Sequence, residues 1–555
     1  MISLLKNFTK CWWRQKARAS LPFLLLFFLP ACEYQDLKPI RDQVLVYCSE
    51  GNPETFNPQL STSGVTFDAS SRTLYNRLVE FKPNSNEIAP SLAESWSISP
   101  DGKEYTFHLR ENVSFHQTEH FRPTRYLNAD DVIFSFSKQS DNSHPFHNTS
   151  QLSYRYYESM GLQNLIESIE KSGQHTVIFK LSRPESPFLA TLTMDFTSIL
   201  SAEYADSLLI QNKRENIDSL PVGTGPYQLT RYQPDAFIRY KAHANYWNGE
   251  QQLKNLVFAI TPDPSLRFAR VIAGECDLMT NPLPIHLMTT KKYPQIKVTT
   301  QPGLNTAFLS LNTQKPPFDN PQVRKAIELA INKPSIIKVV YQNNASLANS
   351  IIPPTSWAHV NSLSASQFDP QKSRQLLEGA GYASGFELDL WIMSAQRAYN
   401  PNAIKMAELI QQNLKAVGIS VNIHSFEYAT FLNKIRNGEH QAALAGWIGD
   451  NGDPDNFFTP LISCSATKSG TNSTFWCDNE IDQHIQQAKL EKRQATRYKI
   501  YEKLQQKLRQ ESPLVPIAHA TRFVVLSHKV QNFKMLSTGG VSFEGVYLEQ
   551  GSNDD

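Results

Sequence analysis

Apolar and polar positions along this chain alternate in short blocks whose period switches repeatedly between about 2 and 3.6, with glycine, proline and asparagine between blocks. Residues 44–48 read as a strand. Residues 70–79 predict a helix, with Leu74, Leu78 and Val79 on its apolar side. Residues 103–110 predict a strand, and Asn128-Ala129-Asp130-Asp131 opens a helix running through Phe136. Asn128 or Asp130 serves there as the cap, with acids facing the exposed amides of the first turn. Residues 176–181 and 227–232 predict strands on either side of a helical, surface-like stretch. Pro221-Val222-Gly223-Thr224-Gly225-Pro226-Tyr227 reads as a rigid, hinge-like turn suited to a chain crossing between domains. Its glycines supply backbone freedom and its prolines restrict it.

The second half is more periodic. A strand ends at residues 309–312, and residues 321–330 form a helix with Val323, Ile327 and Ala330 on one face. Helix resumes over 336–341, and another covers 370–379, stopped by Gly379-Ala380-Gly381. Residues 386–392 predict a strand, 400–417 a helix with Pro401 in its first turn and Gly418 at its end, and 419–423 the next strand. That order is α/β layering. Residues 485–508 predict one charged amphipathic helix, and the apolar run 514–518 returns the chain to a core.

Directly behind the apolar run 442–445, the segment Gly446-Trp447-Ile448-Gly449-Asp450-Asn451-Gly452-Asp453-Pro454-Asp455-Asn456-Phe457-Phe458 collects three carboxylates, three glycines and a proline. It reads as a buried strand ending in a tight, acidic, aromatic-lined loop that holds a cationic group out of water. Arg397 occupies a comparable place, between the strand at 386–392 and the next helix. In open α/β sheets ligands bind beyond the carboxyl ends of strands, and a guanidinium there clamps a planar carboxylate through two parallel hydrogen bonds. If Asp450 and Arg397 face one cleft, they form a plus-and-minus ruler for a zwitterion. The plainer alternatives are Arg397 paired with a surface acid and Asp450 capping its own Asp-Asn-Gly turn. Asp453 and Asp455 are better explained as fixing a turn or helix start. Trp447, Tyr399, Phe457 and Phe458 are candidate walls of a peptide cleft, or core.

Other chemistry is sparse. The acidic loop lacks the spacing and terminal glutamate of an EF-hand, so calcium is not expected. His116 with His120, and His144 with His147, have helical ligand spacing but no zinc motif around them, and read as surface histidines. No nucleophile elbow, His-Glu-x-x-His or phosphate-binding loop is present. An exported hydrolase using a carboxylate pair is the alternative from a different class. No cofactor and no metal are expected.

The ends of the chain say where it works. Residues 1–31 carry Lys6, Lys10, Arg14, Lys16 and Arg18, no acid, and the apolar stretch 21–31. That stretch falls short of the ~20 residues of a spanning helix and fits a signal peptide. Leu29-Pro30-Ala31-Cys32 resembles a bacterial lipobox, which makes Cys32 the candidate lipidated N-terminus and the membrane a partner. Charge then changes sign: the whole chain has 54 basic and 52 acidic residues, and losing five basic residues leaves 49 against 52. No basic stripe for nucleic acid results. Export also gives the cysteines a meaning. Beyond Cys11 and Cys32 there remain Cys48, Cys276, Cys464 and Cys477, an even set that allows three pairings. The simplest joins Cys464 to Cys477 and Cys48 to Cys276. A mature chain of this length requires two or three domains.

Several stretches together resemble the dipeptide-binding subgroup of solute-binding protein family 5, the extracytoplasmic receptors of peptide ABC importers. They include Val46-Tyr47-Cys48-Ser49-Glu50-Gly51, Leu74-Tyr75-Asn76-Arg77-Leu78-Val79-Glu80-Phe81, Leu92-Ala93-Glu94-Ser95-Trp96, Asn128-Ala129-Asp130-Asp131-Val132 and residues 221–227. Pro321-Gln322-Val323-Arg324-Lys325-Ala326, Gln396-Arg397-Ala398-Tyr399-Asn400-Pro401-Asn402 and residues 446–458 continue the likeness. It implies an α/β, two-lobed periplasmic-binding-protein clamshell with an additional inserted domain. Lobe I would comprise residues 43–75, 225–303 and 521–549, domain II residues 76–224, and lobe III residues 304–520. The resemblance implies the same disulfides, Cys48 with Cys276 and Cys464 with Cys477. It assigns the peptide ammonium to Asp450 and the terminal carboxylate to Arg397, with Gly446, Trp447 and Tyr399 around them. A short peptide is the implied ligand, a membrane ABC permease the implied partner, and a monomer the expected state. Haem- and glutathione-binding receptors of the same fold are the alternatives within the family.

Overall fold

The strand Leu514–Ser527, fourteen residues long, runs through the middle of the molecule and changes partners part-way. The structure is a computed structural model describing residues 43–549 apart from 83, 84, 86 and 537, so the expected signal segment and Cys32 lie outside the described residues. Up to Ala520 the long strand pairs with Asn305–Leu311 and Ala345–Leu347. From Thr521 onward it pairs with Ile296–Pro302 and then Leu278–Thr280. One twelve-stranded mixed sheet results.

On one side the sheet continues through Ala442–Ile448, Phe386–Met393 and Ile419–Phe426. On the other it continues through Val44–Ser49, Asn255–Ile260, Phe237–Ala242 and Tyr227–Gln233. Each half closes over its own apolar cluster. Leu309, Leu390, Ile392, Leu444 and Val515 pack with the helices Pro321–Ala330 and Ala403–Lys415 in the first. Leu45, Tyr47, Leu256, Phe258 and Leu526 belong to the second, which continues into a separate antiparallel sheet of Ala93–Ile98, Glu104–Leu109, Thr176–Leu181 and Ile166–Lys171. The mixed, layered α/β class expected from the sequence is what forms.

Local chemistry explains the elements. Asn320 caps Pro321–Ala330 by accepting the Gln322 amide, proline fills the first turn where no amide is needed, and Val323, Ala326, Ile327 and Ala330 face the core. Asn128 and Asp131 form a reciprocal capping box on Ala129–Ser140. The bonded cysteine pairs are Cys48 with Cys276, 228 residues apart, and Cys464 with Cys477, 13 apart.

Several expectations need correction. The helix expected over 70–79 is only Ser71–Leu74, followed by the strand Val79–Phe81. The intervening backbone bonds elsewhere: the Leu74 carbonyl accepts the Gly225 amide, that of Asn76 the Ile199 amide, and that of Arg77 the Leu92 amide. Tertiary pairing overrides helical periodicity there. The helix expected over 485–508 is two, Asn479–Leu490 and Gln494–Glu511. Ser186 intervenes at the break, its amide donating to the Lys489 carbonyl at 2.7 Å and its hydroxyl to that of Glu491 at 2.6 Å.

In the turn at 221–227 the glycines do not serve backbone freedom, because neither is left-handed. A Cβ on Gly223 would sit 2.0 Å from the Leu74 carbonyl oxygen, so close approach excludes any larger residue. His116, expected at the surface, is fully buried against the same turn. Its Nδ1 accepts the Gly223 amide and its Nε2 donates to the Gly225 carbonyl, while burial holds its pKa well below the usual value.

Candidate functional site

The strands Phe386–Met393 and Ala442–Ile448 run parallel, with Leu390 opposite Ala442 and Trp391 opposite Ala443, so the loops leaving their carboxyl ends emerge side by side. Arg397 is in the first loop and Asp450 in the second. The helix expected from Asn400 starts only at Ala403, capped by Asn402, because Arg397 and Asn400 close a two-way backbone bridge at 3.1 and 3.0 Å. That bridge fixes where the arginine side chain leaves the loop.

Arg397 is held laterally and left open at its head. Its guanidinium lies 4.8 Å from the centre of the Tyr428 ring and hydrogen-bonds to the Tyr399 hydroxyl. Burial disfavours its charge, but Tyr399, Tyr428 and Glu50 hold its pKa above the ordinary arginine value. Its Nε is buried without a hydrogen-bond partner. Tyr399 is buried, its carbonyl accepts the Tyr341 hydroxyl at 2.8 Å, and its ring occupies the space beside Gly446. A Cβ on Gly446 would fall 2.3 Å from that ring, so this glycine shapes the site through what it lacks.

The acidic loop separates its three carboxylates by function. Asp453 binds Arg497 through two bonds of 2.8 and 2.7 Å and accepts the Asp455 amide at 2.9 Å. Asp455 starts the helix Asp455–Ile462 and accepts the Thr459 hydroxyl at 2.6 Å. Both therefore hold the turn, as expected. Phe457 and Phe458 are fully buried in a cluster with Tyr501 and Leu504 and are core. Trp447 is half-buried, with its Nε1 donating to the Asn456 Oδ1 at 3.3 Å.

Asp450 is different. Its backbone amide donates to the same Asn456 oxygen at 2.8 Å, leaving the carboxylate to face the opposite wall, where the Tyr156 hydroxyl donates to it. Tyr156 stacks between Phe67 and Phe196 with centroid distances of 6.2 and 5.7 Å. Desolvation pushes the Asp450 carboxyl up to about 7; Tyr156 and Arg72 oppose the rise and Asp195 adds to it. Among the described residues neither Asp450 nor Arg397 is in a salt bridge, whereas neighbouring Asp68 and Asp195 are paired with Arg72. An unpaired acid and an unpaired base on adjacent loops form a site for a ligand carrying both charges.

Sequence reasoning missed Tyr156, Tyr428 and Asn456. Asn456 sat inside the motif, in the helix that follows the loop, where its carboxamide oxygen accepts from both Trp447 and Asp450. The two tyrosines carried no local signal, since Tyr156 comes from a distant segment of the chain, far ahead of Asp450. No metal cluster forms among the described residues, and no described helix is long and apolar enough to cross a membrane.

Residues 87–469 match the family described as bacterial extracellular solute-binding proteins, family 5. The chain belongs to that family. This family-5 chain is 46% identical over 510 residues to the dipeptide-binding protein of Escherichia coli K12, covering 92% of this chain and 95% of the relative. It is also 42% identical over 514 residues to haem-binding protein A of Haemophilus influenzae, covering 93% and 94%. Its fold superposes on a dipeptide-binding protein of Pseudoalteromonas sp. SM9913 in complex with Met-Leu, with a TM-score of 0.84 at 41% identity, covering 91% of this chain and all of the other. Such family-5 neighbours are two-lobed periplasmic binding proteins around a large central sheet, and this chain has that fold.

Proposed function

We propose that this chain is the extracytoplasmic receptor of a peptide ABC importer, binding dipeptides or short peptides by their charged ends. The carrying observation is the pair of half-buried, oppositely charged and unpaired side chains on adjacent strand-end loops. Asp450 receives the α-ammonium and Arg397 the terminal carboxylate. Trp447, Gly446 and Tyr399 shape the cleft between them. Such a site reads the ends and leaves the side chains largely free, which suits broad peptide selection. The likeness to dipeptide-binding relatives supports this reading. The haem-binding relative, similar over the same share of the chain, favours haem as a second reading.

Lobe III comprises residues 304–520 and moves against lobe I, residues 43–75, 225–303 and 521–549, together with domain II, residues 76–224. The change of strand partner between Ala520 and Thr521, and the step from Ile296–Pro302 to Asn305–Leu311, support hinges at both crossings. The receptor works as a monomer without catalysis, delivers cargo to a membrane permease, and is exported and anchored through lipid on Cys32. Mass spectrometry of the membrane fraction, with Cys32→Ser as control, tests the anchor.

The binding reading is tested by calorimetry on protein unfolded, stripped of cargo and refolded. Ala-Ala is expected to bind, with N-acetylation and C-amidation each weakening it. Arg397→Ala should lose more affinity for the free acid than for the amide. Haem binding with no heat from a varied peptide panel would replace this reading with the second one.

A further inference from the structure

Arg397 shares its cavity with a second arginine, Arg522. The cavity is about 40 Å³, room for about three water-sized groups, and Asn281, Asn344, Gln396, Arg397, Thr521 and Arg522 line it. Arg522 is only 7% exposed and follows Thr521, where the long strand changes partners.

Among the described residues its hydrogen bonds go to backbone: Nη1 to the Leu536 carbonyl at 2.5 Å and Nη2 to the Gly540 carbonyl at 3.4 Å. Among the described residues no carboxylate is in salt-bridge contact with it. Arg72, Asp68, Glu50 and Tyr47 are the charged or titratable groups around it. Asp68 is committed to Arg72 at 2.7 Å and to the Val541 amide at 2.9 Å. Glu50 Oε1 accepts the Thr280 hydroxyl at 2.8 Å and the Asn281 amide at 2.6 Å. Desolvation, with Arg72 adding repulsion, pushes the guanidinium down to about 10, as befits a buried cation without a partner of its own. Unpaired buried charge is strongly unfavourable unless something completes it. Two arginines lining a cavity large enough for a carboxylate group are complementary to an anion, and Glu50, the carboxylate that acts on both, is already held by Thr280 and Asn281.

We propose that Arg522 is a second carboxylate receptor in the cleft, extending recognition past the group read by Arg397. The carboxylate comes either from an acidic side chain on the C-terminal residue of a dipeptide or from the terminus of a tripeptide. This inference rests on the peptide reading above.

The experiment titrates cargo-free wild type, Arg522→Gln and Arg522→Lys with Ala-Ala, Ala-Glu, Ala-Gln, Ala-Ala-Ala and Ala-Ala-Ala-amide. Wild type is expected to prefer Ala-Glu over Ala-Gln, or Ala-Ala-Ala over its amide, by about tenfold or more, and the pair whose separation Arg522→Gln removes identifies the source. Arg522→Gln should abolish that preference while Ala-Ala stays within about threefold, and Arg522→Lys should retain part of it. No preference in either wild-type pair, or an equal loss for every ligand in Arg522→Gln, overturns the assignment and leaves Arg522 as a tie to the backbone at Leu536 and Gly540. If the variants fail to fold, the wild-type comparison of Ala-Glu with Ala-Gln decides the matter, because Arg397 reads the terminal carboxylate that both share. Absence of Ala-Ala binding by wild type sinks the peptide reading and this role with it, whereas normal Ala-Ala binding without preference sinks this role alone.

Discussion

Asp450 carries its function in its surroundings more than in its identity. Burial raises its carboxyl from the ordinary 3.8 to about 7, so the empty receptor holds a proton there that the unfolded chain would have lost. Between those values the folded state binds more protons, and this group's contribution to stability therefore grows as the pH falls. Ligand binding has the opposite sign. An incoming ammonium requires the carboxylate, so below about 7 binding must expel the proton, and affinity should fall by up to about tenfold per pH unit. Above about 8 the peptide amine loses its own charge, which places the optimum between about 7 and about 8. Calorimetry in buffers of different ionisation heat should register proton release near pH 6. A flat affinity between pH 5 and pH 7 would remove Asp450 from the ammonium site. At pH 7.5, Asp450→Ala should cost on the order of 2 to 5 kcal/mol of affinity for a dipeptide, because a desolvated ammonium is left unpaired. Unchanged affinity in that variant would independently exclude Asp450 as the ammonium's partner.

At the scale of elements, the disulfides differ in what they constrain. Cys48–Cys276 closes 228 residues, linking Val44–Ser49 to the chain just before Leu278–Thr280, whereas Cys464–Cys477 closes 13 around a short helix. Loop-closure entropy assigns about 5 kcal/mol to the long staple and about 3 kcal/mol to the clip. Denaturant titration of Cys48→Ser/Cys276→Ser should therefore show the larger loss of stability, and the reverse order would show native-state strain or residual structure to dominate. Elements with self-contained signals were legible from sequence: Pro321–Ala330 and Pro370–Gly379 start and stop where proline, asparagine or aspartate caps and apolar spacing put them. The strand endings that carry Arg397 and Asp450 were legible for the same reason. Residues 70–79 and 485–508 were not, because distant partners decide them: Gly225, Ile199 and Leu92 draw off the backbone of the first, and Ser186 interrupts the second. The site was half visible on the same principle. Both charged residues lie in motifs, whereas Tyr156 and Tyr428 come beside Asp450 and Arg397 only through the fold.

Across the whole molecule, contacts reach over the cleft at places no ligand need touch. Lys489 sits 3.1 Å from Glu185 and 3.9 Å from Asp455, all three largely buried, and Ser186 donates to the Lys489 and Glu491 carbonyls. The Asn451 amide reaches the Met194 sulfur at 3.7 Å, one residue from Asp450. Residues 185–194 and 451–491 fall in domain II and lobe III of the proposed division, and if that division holds these contacts form only when the lobes are shut. They favour the closed state, and apparent affinity scales with the population competent to hold cargo. Lys489→Met leaves the buried Glu185 with only the more exposed Arg183, at 3.3 Å, and should raise the peptide dissociation rate by about tenfold or more, while Glu185→Gln/Lys489→Met together should recover part of the loss. Stopped-flow dissociation measures the rates, and small-angle scattering of the ligand-free variants should show a more extended envelope than wild type. An unchanged dissociation rate in Lys489→Met would mean that closure is held by the ligand and the cleft walls alone. In that case Tyr156, donating from domain II to Asp450, becomes the contact through which shutting the lobes and reading the ammonium are coupled.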